Sequence, residues 1–481
     1  MQHSINAGLS KLHLDARLSN LVKTKTLIIA ALAGITLAAF ALRFYKLGEW
    51  GYWIDEVFTI TRAQAAMTLS APLSRRLISL ALQVFGVSDW SGRVAPAVVG
   101  VLTVPLLYFP VKKIFGTGTA LLAALLLALS PWHLYWSQNA RFYTVFMLLY
   151  FLAQVFFYFW LETDSAWYLV FSGVFMALAV RERIFTAFLA PVVVVYLLGL
   201  YLLRFEKPAG FKVRNFVFVA LPAALVVVTL ALNPHVLVAF YTSILGHHHS
   251  SLRVLLSVIY EVGLPLFLLS LFGGAYLVYK KNRAGLYFLV GILVPVVILL
   301  FVAPFMLTFS RYVFGALPSF VILGAFAIKE VFAQSRKTMV VLALGVLLLP
   351  IADAASQDVL YFGFQNGNRE DFKGAFEVVG SLMDKGDLIV TGRPEIATYY
   401  LGEDVEVAFS QAVRLEDITG GNRRVWFVVD DRSGIRSVFY DWIQKNSELI
   451  AVRDVYVPGL TYLMRVFLYD PHRPPPPVAT P

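Results

Sequence analysis

Long apolar runs alternate with short polar segments along the first three quarters of this 481-residue chain. A helix that crosses a bilayer needs about 20 mostly apolar residues, and about eleven runs approach that length. The predicted spans cover residues 26–43, 94–111, 117–131, 143–161, 166–180, 185–203, 215–232, 254–279, 285–303, 312–330 and 338–355. This pattern predicts a polytopic α-helical membrane protein with a transmembrane domain over residues 26–355.

Basic residues collect at alternate ends of the predicted spans. The clusters are Lys11, Arg17, Lys23 and Lys25; Lys112 and Lys113; Arg204, Lys207, Lys212 and Arg214; Lys280, Lys281 and Arg283; and Arg336 and Lys337. Lys and Arg favour the cytoplasmic side, and every cluster lies there if the segment 1–25 is cytoplasmic. The first span is interpreted as an uncleaved anchor, because its apolar run is too long for a signal peptide. We therefore expect a multi-pass membrane protein with a cytoplasmic amino terminus.

Composition narrows the class of protein further. Hydrophobic residues make up 59% of the chain and charged residues 15%, whereas soluble domains carry about 25% charged residues. The chain has no cysteine, which excludes disulfides, thiolate metal sites and cysteine nucleophiles. The net charge of +10 does not indicate a nucleic-acid partner, because the basic residues lie at the ends of apolar spans.

The pattern changes near residue 356, where shorter alternating elements begin. Residues 372–386 have helical spacing, with Asp371 able to cap the start and Gly386 the end. The stretches DLIVTG, RRVWFVVDD and VYVPGLTYLMRVFLY are typical of strands, and IRSVFYDWIQKNSELI is typical of a helix. We predict a small extracytoplasmic α/β domain over 356–470, followed by an extended or disordered Pro-rich tail over 471–481.

Two adjacent carboxylates stand among aromatic residues in the segment GEWGYWIDEVFTIT, residues 48–61. Apolar surroundings raise the pKa of a carboxyl group unless a cation compensates. Asp55 and Glu56 are therefore candidates for a general base or a metal ligand, the alternative being a solvated turn.

Arginines at three span ends point to an anionic ligand. Arg93, Arg141 and Arg311 lie at ends that the topology puts outside, against the usual cytoplasmic bias of basic residues. A guanidinium group binds phosphate through two parallel hydrogen bonds. The structural alternative is that an arginine at the end of a span extends its charged group into the water at the membrane surface. Tyr143, just inside the span that follows Arg141, is a further candidate contact for the donor phosphate.

Two further polar groups remain open to both structural and functional interpretations. One group lies between two spans with almost no loop and comprises Arg181, Glu182 and Arg183. It is interpreted either as an ion-pair cluster at the membrane interface or as part of a functional site. His247, His248 and His249 form either a polar loop or the source of one ligand to a divalent cation.

Five segments follow one another in a characteristic order: GEWGYWIDEVFT, FGVSDWSGRVAPAVVGVLTVPLLYFPVKKIFG, SPWHLYWSQNARFYTVFMLLYF, SRYVFGALPSFVILGAFAI and EDFKGAFEVVGSLMDKGDLIV. Their order resembles that of membrane glycosyltransferases that use polyprenyl-phosphate sugars. This GT-C superfamily includes the protein O-mannosyltransferases and the aminoarabinose transferase of lipid A. The resemblance implies a GT-C fold with a small C-terminal outer domain, in the plasma (inner) membrane of a cell.

The resemblance also implies roles for individual residues. Asp55 matches the aspartate that is catalytic in the family, and Arg141 matches an arginine near the lipid phosphate. Asn139 occupies a position where family members often have Glu. This chain therefore lacks the carboxylate that those members have at this position of the loop. Arg75 and Arg76 stand in SAPLSRR, where relatives often have a Pro-Pro cluster, and this difference points to a different donor or acceptor contact.

The expected reaction follows from this resemblance and from the chemistry of the donor. Asp55 would take the proton of the acceptor, and Arg141, helped by Arg93 or Arg311, would hold the leaving phosphate. Glu56 would position Asp55 or bind a metal, and a divalent cation stays an open question. One displacement would invert the anomeric centre, and the acceptor could be a lipid, a glycan or a protein.

Two other classes of protein compete with the enzyme. A transporter or flippase for a lipid-linked or anionic solute predicts charges in the middle of the spans, whereas here they gather at the outer ends. A non-catalytic assembly protein would have lost its active residues, and the presence of Asp55 and Arg141 argues against it.

Overall fold

The computed structural model describes residues 24–65, 68, 71–212, 231–232, 234, 238, 250–334, 340–431, 437–457 and 460–473. Two compact units share the chain. The first unit comprises Met1–Arg43, Ala97–Ser137 and Tyr143–Ala354, and the second comprises Phe44–Pro96, Gln138–Phe142 and Ala355–Pro481. The second unit therefore combines the segment around Asp55, the short segment before Tyr143 and the C-terminal part of the chain.

Helices dominate the chain up to residue 363. In chain order they are α1 Thr24–Phe44, α2 Ile54–Gln64, α3 Leu73–Phe85, α4 Ser91–Phe115, α5 Thr117–Ala128, α6 Pro131–Ser137, α7 Tyr143–Thr163, α8 Ala166–Glu182, α9 Leu189–Leu202, α10 Ser251–Val262, α11 Leu264–Tyr279, α12 Arg283–Val302, α13 Leu317–Gln334 and α14 Val340–Gly363. Short 3₁₀ turns, Ile184–Phe188 and Ser310–Ala316, lead into α9 and α13.

Seven helices in the described part of the chain are long and apolar enough to cross a membrane, or up to nine if two bent helix pairs count as one span each. The bent pairs are α5 with α6, at 57°, and α10 with α11, at 94°. The remaining predicted spans are 166–180, where α8 has 17 residues, and 215–232, which lies outside the described residues except for positions 231 and 232. The predicted polytopic helical fold is confirmed.

The predicted span 254–279 is not one straight helix. Gly263 separates α10 from α11 with φ +86°, a conformation that favours glycine. An added Cβ atom at this position would lie 2.3 Å from Asp353 Oδ2. Periodic apolar residues on both sides concealed the break, because hydropathy alone does not register a change of helix direction.

Within the second unit, a five-stranded sheet forms the C-terminal part. Its strands are β1 Leu388–Thr391, β2 Glu406–Phe409, β3 Val425–Asp430, β4 Glu448–Val452 and β7 Met464–Tyr469, in the order β2-β1-β3-β7-β4. The pairs β1–β2 and β1–β3 are parallel, and β3–β7 and β4–β7 are antiparallel. Strands β5 Val455–Val457 and β6 Leu460–Tyr462 form a separate hairpin pair.

Each face of this sheet has its own hydrophobic core, because successive strand residues point to opposite sides. On one face, Phe427 and its neighbours pack with Ile443 of the helix Ser437–Asn446. On the other face, Trp426 belongs to a core that also contains Ile60 of α2 and Ile78 of α3. The core of the C-terminal sheet is therefore completed by helices that precede it by some 300 residues in the chain.

Several predicted elements of the C-terminal part need correction. The helix Phe372–Leu382 begins at the predicted cap, where Asp371 Oδ1 accepts from Gly374 N at 3.0 Å, but it ends before Gly386. The predicted helix over 435–450 gives way to β4 at Glu448, and the last predicted strand is divided among β5, β6 and β7. The helices Pro394–Leu401 and Leu415–Thr419 and the strand β2 were not predicted.

Candidate active site

Asp55 lies in the first turn of α2 and forms an ion pair with Arg141. Its Oδ2 atom is 3.2 Å from Arg141 Nη2, and the two side chains are 33% and 13% exposed respectively. Arg141 Nη1 donates to the carbonyl oxygen of Asp55 at 2.7 Å and to Thr59 Oγ1 at 2.9 Å. The structure thus brings together, within the second unit, the two residues to which the family resemblance assigns the chemistry.

Aromatic and amide side chains fix the surroundings of this pair. The Arg141 guanidinium lies 5.9 Å from the ring of Trp53 and 5.4 Å from that of Phe142. Trp53 Nε1 donates to Asn139 Oδ1 at 2.8 Å, and the buried Asn139 accepts from Arg141 N through its backbone oxygen at 2.7 Å. Asn139 therefore orients Trp53, a role that an amide can fill without a second carboxylate.

Glu56 has a different environment from its neighbour Asp55. Its side chain is fully buried and forms a bidentate salt bridge with Arg93. Arg93 Nε donates to Glu56 Oε1 and Arg93 Nη2 donates to Glu56 Oε2, both at 2.8 Å. Arg93 also donates to the carbonyl oxygens of Trp50 at 2.7 Å and Gly51 at 2.9 Å. This buried pair ties the start of α4 to the turn that leads into α2.

Two more donors reach Glu56 from other parts of the second unit. Ala140 N donates to Oε1 at 2.7 Å, and Arg369 Nη1 donates to Oε2 at 3.1 Å. Arg369 also donates to the carbonyl oxygen of Gly367 at 3.2 Å. One carboxylate thus links three segments that are far apart in sequence, including the residue directly before Arg141.

Burial by itself would raise the pKa of Glu56, but the charges of Arg93 and Arg369 and the hydrogen bonds from Arg93 and Ala140 N outweigh it. The net result is a pKa below the ordinary value of 4.5. Glu56 is therefore ionised near neutral pH and has no open side for a substrate.

This geometry changes the expected roles of Arg93 and Glu56. Arg93 was predicted to help hold the donor phosphate, but it is fully buried and engaged with Glu56 and with backbone oxygens. Glu56 was predicted to position Asp55 or to bind a metal, and five protein donors surround its oxygens, which leaves no room for a metal ion. The contacts of Arg93 are therefore structural, and of the two roles predicted for Glu56 they favour the positioning of its segment over metal binding.

Most of the remaining predicted residues fall in the first unit or outside the described residues, whereas Arg75 and Arg76 lie in α3 of the second unit. Tyr143 is buried, with its ring 3.7 Å from that of Trp136. Arg311 lies 4.3 Å from the ring of Phe309, and its Nε atom is buried without a hydrogen-bond partner among the described residues. Arg181 and Glu182 end α8, and Arg183 caps it. His247, His248 and His249 lie outside the described residues.

No group of three or more His, Asp or Glu side chains that could hold a metal ion occurs among the residues that the structure describes.

Sequence reasoning missed Thr59 and Arg369 as parts of the site. Thr59 lies four residues after Asp55 on the same helix, and its Oγ1 donates to the Asp55 carbonyl oxygen at 2.9 Å, so helical spacing was a usable signal. Arg369 is more than 300 residues from Glu56 and carries no local signal.

Comparisons with known proteins give one family model and several solved structures that are similar to this chain. The family model described as dolichyl-phosphate-mannose-protein mannosyltransferase matches residues 70–232. The fold is similar to that of ArnT from Cupriavidus metallidurans in the apo state, with a TM-score of 0.57 and 14% identity over 92% of this chain and 98% of that one. The predicted resemblance is confirmed. The chain shares the fold of ArnT, as the resemblance to the GT-C glycosyltransferases implied.

Two further structures have the same fold. ArnT bound to undecaprenyl phosphate matches with a TM-score of 0.54 and 13% identity, over 90% of this chain and 97% of that one. The oligosaccharyltransferase AglB from Archaeoglobus fulgidus, in complex with an inhibitory peptide and a dolichol-phosphate, matches with a TM-score of 0.53 and 13% identity, over 80% of this chain and 64% of that one. A search of curated proteins finds no significant match.

Proposed function

We propose that this protein transfers a sugar from a polyprenyl phosphate carrier to an acceptor on the extracytoplasmic face of the plasma (inner) membrane. Solved proteins with this fold bind undecaprenyl phosphate and dolichol-phosphate, which supports a lipid-phosphate donor. The basic clusters favour a cytoplasmic amino terminus and an extracytoplasmic second unit.

The observation that carries this proposal is the contact between Asp55 and Arg141. A carboxylate and a guanidinium lie 3.2 Å apart, both partly exposed, and the fully buried Glu56–Arg93 pair holds the segment on which Asp55 stands. A transfer that expels phosphate needs a base for the acceptor and a cation for the leaving group. The pair supplies one of each.

In the proposed reaction, an acceptor oxygen or nitrogen attacks the anomeric carbon of the donor sugar. Its proton passes to the Asp55 carboxylate as the new glycosidic bond forms. The bond from the anomeric carbon to the phosphate oxygen breaks, and its electrons stay on the phosphate, whose charge Arg141 stabilises. A single displacement of this kind inverts the anomeric centre.

The present contacts of Arg141 indicate how donor binding would prepare the base. Nη1 is held by the Asp55 carbonyl oxygen and Thr59, whereas Nη2 contacts the Asp55 carboxylate. A phosphate oxygen that took the position of Oδ2 beside Nη2 would release one carboxylate oxygen. Asp55 would then be available to the acceptor only when a donor is bound.

The test uses the full-length protein in lipid nanodiscs with a panel of synthetic undecaprenyl phosphate sugars. We expect slow release of free undecaprenyl phosphate by hydrolysis, with one sugar preferred. Asp55→Asn should slow this release about 10²–10⁴-fold, because it removes the general base. Arg141→Gln should also slow release, because it removes the cation beside the leaving group.

Glu49→Gln is the matched control, because Glu49 is a 51% exposed carboxylate in the same segment, paired with Lys46. It should leave the rate unchanged. Release that persists in Asp55→Asn would contradict the role of Asp55. No release with any sugar, while carrier lipid crosses the bilayer in a flippase assay, would favour the transport alternative.

A further inference from the structure

A polar cavity lies within the second unit, beside the segment that leads into α2. Its volume is about 450 Å³, and its lining includes Gly48, Asp89, Trp90, Lys373, Tyr399 and Tyr400. None of these residues takes part in the Asp55–Arg141 pair or in the frame around Glu56. The cavity therefore needs an explanation of its own.

The polar centre of the cavity is the carboxylate of Asp89, which is 9% exposed. Asp89 Oδ1 accepts from Tyr400 Oη at 3.0 Å, and Oδ2 lies 3.0 Å from Lys373 Nζ. Tyr400 Oη in turn accepts from Tyr52 N at 2.6 Å. Burial and the charge of Asp89 raise the pKa of Tyr400, so its hydroxyl group stays protonated at neutral pH.

Aromatic rings form the rest of the wall. Trp90 is 40% exposed, and its ring meets the edge of Phe85 with centroids 5.3 Å apart. Tyr399 and Tyr400 stand edge to face with centroids 4.9 Å apart. An aromatic face carries partial negative charge, which suits the weakly positive C–H groups on the flat side of a sugar ring.

The cavity is built into the fold. Tyr52 Oη donates to the carbonyl oxygen of Ser88 at 2.7 Å, and Ser91 Oγ donates to that of Gly86 at 2.6 Å, which fixes the turn that carries Asp89 and Trp90. A Cβ atom at Gly48 would lie only 2.8 Å from Trp90 Cβ, so glycine is needed for this close approach. Such preorganisation lowers the entropic cost of binding.

We propose that this cavity is a subsite for a neutral saccharide. The hydroxyl groups of the saccharide would form hydrogen bonds with Asp89 and Lys373, and one face of its sugar ring would stack on Trp90. Asp89 and Lys373 balance each other's charge, so neither a cationic nor an anionic ligand is favoured over an uncharged one. Polar groups and aromatic rings together match a molecule with hydroxyl groups at its rim and C–H groups on its face.

The assignment of this saccharide to the acceptor rests on the proposed function. Tyr52 links the cavity to the candidate active site, since its backbone N–H holds Tyr400 and it lies three residues before Asp55. A glycan held there would belong to the acceptor side of the reaction, apart from the donor phosphate. Among the acceptors that the sequence left open, this favours a glycan or a glycosylated lipid over a bare peptide.

The experiment measures binding of maltotriose, cellotriose, α-1,6-mannotriose and chitotriose to the full-length protein in nanodiscs, by saturation-transfer NMR and by tryptophan fluorescence. We expect at least one trisaccharide to bind. Trp90→Ala and Asp89→Asn should each weaken its binding about tenfold. Trp90→Phe should restore most of it, because the stacking surface returns. Trp167→Ala is the matched control, since Trp167 is an exposed tryptophan in α8 of the first unit.

Inorganic phosphate is the anionic probe in the same assay. Absence of binding by all four trisaccharides would overturn the proposal. So would binding that survives both Trp90→Ala and Asp89→Asn, or phosphate binding in place of saccharide binding. In the absence of acceptor, Trp90→Ala should still release undecaprenyl phosphate from the donor. Loss of this release in Asp55→Asn therefore tests the proposed function, and loss of saccharide binding in Trp90→Ala tests the subsite.

Discussion

At the residue scale, two neighbouring carboxylates have opposite environments. Successive residues of a helix point about 100° apart, so Asp55 and Glu56 leave α2 in different directions. Glu56 is fully buried between Arg93 and Arg369, whereas Asp55 is 33% exposed beside Arg141. Adjacent positions of similar chemistry thus divide into a structural anchor and a candidate base.

Replacement of Glu56 by Gln is predicted to destabilise the second unit strongly. It would remove the negative charge that the buried guanidinium groups of Arg93 and Arg369 contact, and breaking a buried pair in this way costs about 3–5 kcal/mol. The measurement is the denaturant or thermal unfolding of the protein in nanodiscs. Glu49→Gln, in an exposed pair with Lys46, should cost less than about 1 kcal/mol.

The pH dependence of unfolding separates charge from packing at Glu56. The pKa of Glu56 is lower in the folded protein than its ordinary value of 4.5, which applies to the unfolded chain. At acidic pH the unfolded chain therefore binds a proton at Glu56 more readily than the folded protein does. The stability that Glu56 contributes is lost as the pH falls through the folded pKa. Wild type should show this loss, and Glu56→Gln should lack its Glu56-dependent part. Equal pH slopes in the two proteins would contradict the assigned role of Glu56.

At the element scale, the break between α10 and α11 depends on one glycine. Gly263→Ala is predicted to destabilise the first unit, because φ +86° strains an alanine and the new Cβ would lie 2.3 Å from Asp353 Oδ2. The change in melting temperature measures the effect. Gly173→Ala in α8 is the control, since a Cβ atom there meets nothing within 4 Å. It should be neutral or stabilising, and an equal loss in both variants would contradict the prediction.

At the scale of the whole molecule, the second unit is assembled from three separate stretches of chain. Ile60 of α2 and Ile78 of α3 belong to the same core as Trp426 of β3. The C-terminal sheet therefore shares its core with α2, the helix that carries Asp55. A sequence-based division at residue 356 separates elements that share this core.

Ile60→Ala is predicted to weaken the distant sheet. The loss of a large buried side chain costs about 2–5 kcal/mol, and the shared core should transmit it to β1 and β3. Hydrogen exchange of amides 388–391 and 425–430 in the full-length protein should become faster. Leu80→Ala, at a 56% exposed position of α3, should leave exchange unchanged. Unaltered exchange in Ile60→Ala would show that the sheet is independent of α2.

Much of the architecture could be predicted from the sequence because it rests on local patterns. The apolar runs at 143–161 and 285–303 became the helices Tyr143–Thr163 and Arg283–Val302, since a bilayer requires every backbone polar group to be satisfied within the span. The cap at Asp371 was equally local. The ordered motifs likewise sufficed for the resemblance that the family model and the solved structures confirm.

What only the tertiary structure decided depends on contacts across long stretches of chain. Composition alone could not separate Glu56 from Asp55, because their different roles come from Arg93, Ala140 and Arg369. The saccharide cavity likewise joins Asp89 and Trp90 to Lys373 and Tyr400. Periodicity reports which face of an element is apolar, but not which distant side chain meets it. Burial and pairing, and hence charge and chemistry, are therefore set when the chain folds.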